Sequence, residues 1–298
     1  RLSTASCCRS TYWLAPTHHL AMPTLQRLSR AAPKIRDAPQ RLGHQLRWRS
    51  TNSVPFYGAP RPEVAGSPPS GPLSPLQRAG VAVHSAATAL SDPTRADAVA
   101  ALGEVTGHVA LCGIYDRMMQ DPVGQRILRD RPTVDSSAID LESLLVPKDN
   151  EKTTFGNVYA SFMKEHEFHP DDRDEVRFIS DPELAYIMLR YRQCHDFWHA
   201  LTGLPPTVLG ELALKWLEVI QTGLPIAALS ATVGPLRLSP NEREVLSTVY
   251  FPWAIRVGKN ASFLLNVYYE EEFDTCIHEL RDKLGVEPAP SLEITTSS

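Results

Sequence analysis

Asp181-Pro-Glu-Leu-Ala-Tyr-Ile-Met-Leu-Arg190-Tyr-Arg-Gln-Cys-His195-Asp-Phe-Trp-His199 is the stretch from which the rest of the chain can be read. An acid followed by proline marks a helix start, because the carboxylate caps open amides and proline fits the first turn. Leu184, Met188, Tyr191, His195 and His199 then recur at spacings of four, three, four and four, which is one face of an α-helix. The histidines continue an apolar stripe and so face inward, while Arg190 and Gln193 are expected on the opposite side. His195 and His199 stand one turn apart on the same face. Asp196 lies about 60° round the helix from His199, at ~100° per residue, close enough to lean in.

Leu204-Pro205-Pro206 end this helix and let the chain turn back, so that Glu211, after eleven intervening residues, can approach the same point. Two imidazoles and two carboxylates in reach of one centre suit a divalent ion such as zinc, iron, manganese or cobalt. The candidate ligands are His195, Asp196, His199 and Glu211. Two histidines at helical spacing also arise by chance, and Glu211 has its own alternative. The apolar stripe of its helix is Leu209, Leu212, Trp216, Val219 and Ile220, and Glu211 points away from it. Either that helix is buried on two faces, or Glu211 is a solvated acid complementing the helix dipole.

Two catalytic motifs compete for the same residues. In the zincin His-Glu-x-x-His signature the residue after the first histidine is a glutamate base. Here it is Asp196, one methylene shorter, which is better placed to ligate or orient, so a peptidase reading is weak. Adjacent His-Asp also occurs in the HD phosphohydrolases, where His108 and Asp274 could complete the set, but their helical context does not otherwise match.

The remaining body repeats the helical period. Helices are expected over Leu76–Leu90, Arg95–Leu102, His108–Met119, Val123–Arg129, Thr154–His166, Asp181–Leu201, Thr207–Thr222, Asn241–Gly258 and Glu271–Leu284. Asp92-Pro93, Asp121-Pro122 and Ser239-Pro240 repeat the start signal of Asp181-Pro182. Alternating Val/Ile/Thr runs are scarce, so the fold class is all-α: a single helical domain at 75–288, with a tail at 289–298. No window reaches the roughly eighteen consecutive apolar residues of a membrane-spanning helix. Leu224–Leu229 and Phe263–Tyr268 are candidate walls of an apolar groove, although core packing explains them more simply.

The N-terminal segment has another character. Up to Pro62 it holds ten basic residues and one acid, Asp37, a balance of +9 that leaves −13 on the rest of a chain whose net charge is −4. Arginine-rich, serine-bearing and acid-poor is the composition of a mitochondrial transit peptide, assigned to 1–55, with cleavage near Arg49-Ser50-Thr51. Met22 opens a conventional presequence, so 1–21 is expected to lie upstream of the true start. A nucleic-acid arm would share the charge, but the acidic body offers no phosphate-binding surface, and no nucleic-acid partner is expected. A Pro/Gly/Ser-rich linker follows at 56–74. Beyond the leader only Cys112, Cys194 and Cys276 remain, far apart and without Cys-x-x-Cys, which excludes a disulfide framework. Cys194 projects away from His195, and all three read as small packing residues.

The run from Asp181 to His199, eleven residues and then Glu211, resembles the signature of the mitochondrial ubiquinone-biosynthesis family known as the fourth Coq protein. The likeness continues through Asp130-Arg-Pro132, Phe162-Met163, Gly210-Glu211, Lys215-Trp216, Gln221–Pro225, Gly234–Leu238, Tyr250–Ala254 and Asn266-Val-Tyr-Tyr-Glu270, so it spans residues 75 to 285. It implies an α-helical protein holding Zn2+ at His195, Asp196, His199 and Glu211. The implied reaction is carbon-1 decarboxylation of a 4-hydroxy-3-methoxy-5-polyprenylbenzoate to a polyprenyl methoxyphenol. Zinc favours simple loss of the carboxylate, whereas iron would permit its oxidative replacement by hydroxyl.

The resemblance also implies a peripheral protein on the matrix side of the mitochondrial inner membrane, handling polyprenylated benzoate or quinone lipid. Its implied partners are the other coenzyme Q biosynthesis proteins, gathered in a multi-subunit complex. The alternative is a non-catalytic lipid-binding scaffold of that complex with a structural metal. Arg190 and Lys215 are candidate cations for the substrate carboxylate, although surface or ion-pair roles fit both better.

Overall fold

Proline and capping side chains place most helix starts. The computed structural model describes residues 73–291, apart from 93–94, 147–151 and 174. The transit peptide with its start and cleavage site, the linker up to residue 72, Pro93, and the tail from 292 lie outside the described residues. The described residues fall within one compact unit, 54–298. Among them there is no strand, only an isolated antiparallel bridge between Thr154 and Cys276, so the all-α expectation holds.

The chain opens with α1 (Pro75–Ser91) and α2 (Ala96–Thr106), which pack against each other. Asp92 does not open α2. It is the C-cap of α1, and Arg95 is the residue before α2. After α3 (His108–Met119), Asp121 accepts from the amides of Val123 and Gly124 to start α4 (Pro122–Asp130). A short α5 (Leu141–Leu145), capped by Asp140, was not expected, since five residues carry no period to read. Then come α6 (Phe155–Glu165) and the motif helix α7 (Pro182–Thr202), whose cap Asp181 accepts from Glu183 and Leu184.

α7 is the axis of the molecule, packed by α3, α4 and α6. The expected stripe of Leu184, Met188, Tyr191, His195 and His199 is buried, but Arg190 and Gln193 are buried too. The reason lies in distant partners. The Arg190 guanidinium forks onto Glu270 and donates to the Val267 carbonyl, and Gln193 Nε2 donates to the Val134 carbonyl. A polar face paired in this way can be enclosed. The ion-pair alternative for Arg190 is therefore the one realised.

Gly203, at φ 74°, ends α7, and Thr207 caps α8 (Val208–Thr222). Gly223 stops α8, and Pro225 immediately starts α9 (Pro225–Val233), a helix the sequence reading treated only as an apolar run. Leu224, Ala227 and Ala231 of this segment are buried, and α9 packs on α8 and α2. Phe263–Tyr268 likewise contributes Leu264 and Leu265 to the core.

The expected helix over 241–258 is divided into α10 (Pro240–Val245) and α11 (Phe251–Asn260) by a π turn, Leu246–Tyr250. Pro252 cannot donate an amide, and the register widens just before it, with the Phe251 N–H reaching back to Leu246. The last helix, α12 (Ile277–Leu284), starts later than Glu271, because the turn and single bridge residue before it are tied to the start of α6. Gly156, Phe155 and Ile277 amides make those bonds to Phe273, Thr275 and Thr153. No single helix among the described residues is long and apolar enough to cross a membrane. α2 and α3 together have the length, but they are bent by 73°.

Candidate metal centre

The site is assembled by two helices and the loop between them. His195 and His199 project from α7, and Glu211 returns from the first turn of α8. The Nε2 atoms of the two histidines are 3.2 Å apart, and each lies 3.2 Å from one Glu211 carboxylate oxygen. One ligand atom from each residue falls within 4.8 Å of the others, a spacing that fits one ion. All three residues are buried, with Glu211 only 4% exposed. The open question over Glu211 is thus answered by an α8 enclosed on two faces: Gly210, Glu211, Leu214, Glu218 and Gln221 are buried along with Leu212 and Ala213.

The outer nitrogens fix which way the imidazoles present their lone pairs. His199 Nδ1 is 2.9 Å from the Leu204 carbonyl, which can only accept, so Nδ1 carries the proton. His195 Nδ1 donates to Glu218 Oε1 at 2.6 Å. Both Nε2 lone pairs and the Glu211 carboxylate therefore converge on one point with acceptors only. Such a point requires a cation, either a proton shared among the three or a metal ion, and Glu211 Oε2 is a buried oxygen with no hydrogen-bond donor. Two nitrogens and a carboxylate form a donor set for zinc and its neighbours, and an imidazole N–H anchored on a carboxylate is the arrangement that orients a metal-binding histidine.

Glu218 was not foreseen, although it lies seven residues, two turns, beyond Glu211 on the same helix. It is fully enclosed and accepts from His195, from the Tyr191 hydroxyl, and from Lys215 Nζ at 2.9 and 2.8 Å. Burial alone would raise its pKa, but Lys215 and His195 bring it down to about 2. Burial also pushes Glu211 up, and the two imidazoles hold it well below the ordinary carboxylate range. For His195, burial and Lys215 pull downward, while Glu211 and Glu218 push upward and prevail. Lys215, a candidate for the substrate carboxylate, is thus in an ion pair.

Asp196 is not among the three converging residues. Its carboxylate is in an ion pair with Arg173, from the loop that follows a 3-10 turn at Pro170–Asp172. No sequence period could have linked a loop arginine to that position. His108, offered for the phosphohydrolase set, sits in the first turn of α3 with its Nε2 4.0 Å from Cys112 Sγ, and neither it nor Asp274 joins the group. Cys194 is enclosed, and burial pushes its thiol up to about 12, so it is a packing residue. Cys112 and Cys276 are half-buried.

Aromatic rings wall one side. Phe162 of α6 stacks on the His199 ring with centroids 5.2 Å apart, and His166 meets Phe162 edge-on at 4.9 Å. The segment Asn266–Glu270 braces α7 from outside the site: Glu270 holds Arg190, and the Tyr269 hydroxyl accepts from Trp198 Nε1 at 3.0 Å while donating to the Leu264 carbonyl.

Gly210 sets the position of Glu211. A Cβ there would meet the Pro205 carbonyl oxygen at 2.1 Å, a backbone atom that cannot swing aside. Gly210→Ala is therefore expected to push the first turn of α8 away from the loop and carry Glu211 off the histidines. Metal affinity should fall by about tenfold or more, with about 1–3 kcal/mol of stability lost to overpacking. Metal titration alongside a thermal melt checks both.

The model of the family described as "Coenzyme Q (ubiquinone) biosynthesis protein Coq4" matches residues 68–290. The human mitochondrial ubiquinone biosynthesis protein COQ4 homolog is 39% identical over 271 residues, covering 91% of this chain and 96% of its own. The Nematostella vectensis homolog is 47% identical over 208 residues, 69% of this chain and 99% of its own. A crystal structure from Nostoc punctiforme PCC 73102, provisionally described as a ubiquinone biosynthesis protein, shares the fold. It has a TM-score of 0.55 at 22% identity and covers 70% of this chain and 97% of that one.

Proposed function

The chain belongs to the Coq4 family of coenzyme Q (ubiquinone) biosynthesis proteins, and we propose that its buried centre is a metal-dependent decarboxylase site. The substrate would be a 4-hydroxy-3-methoxy-5-polyprenylbenzoate, which would lose carbon dioxide from ring carbon 1 and take up a proton there to give a polyprenyl methoxyphenol. The observation that carries this reading is the convergence of three acceptors, His195 Nε2, His199 Nε2 and Glu211, on a point with no donor. His195, His199 and Glu211 would hold the ion, Zn2+ first among zinc, iron, manganese and cobalt. Asp196, whose Oδ2 is paired with Arg173, would be a fourth ligand through its other carboxylate oxygen.

A divalent ion held there supplies Lewis acidity toward a substrate oxygen. The chain's own residues do the rest. Glu218 and the Leu204 carbonyl keep both imidazoles aimed inward, and Lys215 balances the Glu218 charge so that the support adds no net charge to the site. Phe162 and Phe168, half-buried with centroids 5.9 Å apart, offer an apolar face for an aromatic ring. Three protein ligands leave a coordination position open, as catalytic sites do.

The relatives' names place them in the mitochondrion, and the same compartment is proposed here, at the matrix face of the inner membrane. Exposed Leu76 and Val83 of α1 and Val109 of α3 provide apolar surface for a peripheral approach to the lipid substrate. Other coenzyme Q biosynthesis proteins are the proposed partners. A second reading, a lipid-binding scaffold with a structural metal, draws on the near-complete enclosure of the three ligands. The test is turnover of a short-tailed 4-hydroxy-3-methoxybenzoate, followed as phenol product, with metal content measured on the same sample. Stoichiometric metal with no turnover, even with partners present, selects the scaffold.

Metal binding should also depend on pH with a defined sign. The His195 pKa is raised above 6.5, so a proton occupies the site at pH values below that raised value and competes with metal. Glu211 is depressed and stays ionised through the neutral range, contributing no further competition. Affinity is therefore expected to be level at alkaline pH and to fall about tenfold per pH unit once the pH drops below the His195 value, for one proton displaced. Chelator competition titrations between about pH 5.5 and 8.5 measure the break.

A further inference from the structure

Arg173 reaches Asp196 from outside the helix that carries the histidines. α7 is braced by Arg190 on Glu270, by Arg192 on Glu104 and by Trp198 on Tyr269. Arg173 instead comes from a separate loop to a carboxylate that is next in sequence to His195 and three residues before His199. The two side chains are 16% and 8% exposed, so the pair is shielded from water but not sealed. Tyr159, itself enclosed, feels both charges, with Asp196 adding to the rise that burial gives its phenol and Arg173 opposing it.

The other cations near the centre are committed elsewhere. Both terminal nitrogens of Arg190 lie on Glu270, and Lys215 Nζ bonds both oxygens of Glu218. Charge balance points the same way. Glu218 and Lys215 cancel, as do Asp196 and Arg173, and Glu211 leaves a divalent ion with one positive charge. The centre therefore accepts a monoanion, and a guanidinium is the group that grips a carboxylate in a planar fork.

On the reading proposed above, we propose that Arg173 is the specificity residue that seats the ring carboxylate of the aromatic acid, with Asp196 holding its place until substrate arrives. The exchange is a carboxylate for a carboxylate, so the guanidinium is never left buried without an anion. The displaced Asp196 side chain then has the ion or water as its neighbour.

The experiment compares binding of a short-tailed 4-hydroxy-3-methoxy-5-prenylbenzoate with that of the same ring lacking the carboxylate, on the metal-loaded full chain. Wild type is expected to prefer the acid by about tenfold or more. Arg173→Gln should abolish that preference while keeping metal content and phenol affinity, and Arg173→Lys should restore part of it. Asp196→Asn, which removes the competing anion, should not weaken acid binding. Retention of the acid preference in Arg173→Gln overturns the assignment, and so does loss of phenol binding together with it, which marks a structural role. A wild type that binds neither compound removes the decarboxylase reading itself, and the assignment with it.

Discussion

Glu211→Gln is expected to abolish metal binding while leaving the metal-free protein, at a pH above the raised His195 pKa where no proton is shared in the site, at least as stable as wild type. The substitution keeps the shape of the side chain but removes its charge and introduces an amide donor. In the metal-free protein that donor is what the site lacks. It can give a hydrogen bond to His195 Nε2 or His199 Nε2, both of which present lone pairs because their Nδ1 protons are spent on Glu218 and Leu204. It also ends the burial of a carboxylate oxygen without a donor, Glu211 Oε2. Toward a divalent ion the same change removes the only anionic ligand of the three, and affinity should drop by more than about 100-fold, with turnover falling in step. Metal analysis and thermal melting of metal-free samples read the two halves separately. A variant that melts well below metal-free wild type would show that the carboxylate holds the helices together through imidazolium pairing instead.

The second large effect lies outside the site. Glu270→Ala should cost about 3–5 kcal/mol of stability, because it strands the Arg190 guanidinium inside the core. Arg190 is fully buried, and its fork onto Glu270 is joined by a bond to the Val267 carbonyl. For a body of this size the loss corresponds to a fall in Tm on the order of 10 °C. Replacing both partners, Arg190→Met with Glu270→Leu, should recover most of it, since the penalty belongs to the orphaned charge and not to the missing bond. Equal destabilisation in the single and double variants would contradict this.

The contrast between Arg190 and His195 explains what the sequence discloses. His195 and His199 lie on an apolar stripe of α7, and a helical period is a local property, so their burial and shared face were legible. Arg190 looks like a surface residue by the same period, and only Glu270, brought in by the fold, makes its burial tolerable. Glu211 stayed ambiguous for that reason as well, since enclosure of the second face of α8 depends on α7, whose His195, His199 and Tyr191 meet Glu211 and Glu218. Glu218 carried a readable signal, two turns beyond Glu211, but its meaning depends on His195 Nδ1, which comes from another helix. The Arg173–Asp196 pair had no signal at all. α9 had its start and stop residues in plain view, Pro225 and Gly234, but too little polar contrast to show a period.

The most direct test of the centre is carbon dioxide release from a carboxyl-labelled, short-tailed 4-hydroxy-3-methoxy-5-prenylbenzoate as Zn2+ is titrated into metal-stripped protein. Release should rise with added metal, level off near about one equivalent per chain, and be absent from Glu211→Gln at every point. Release that is independent of metal, or that persists in Glu211→Gln, would contradict a metal-dependent reaction at His195, His199 and Glu211.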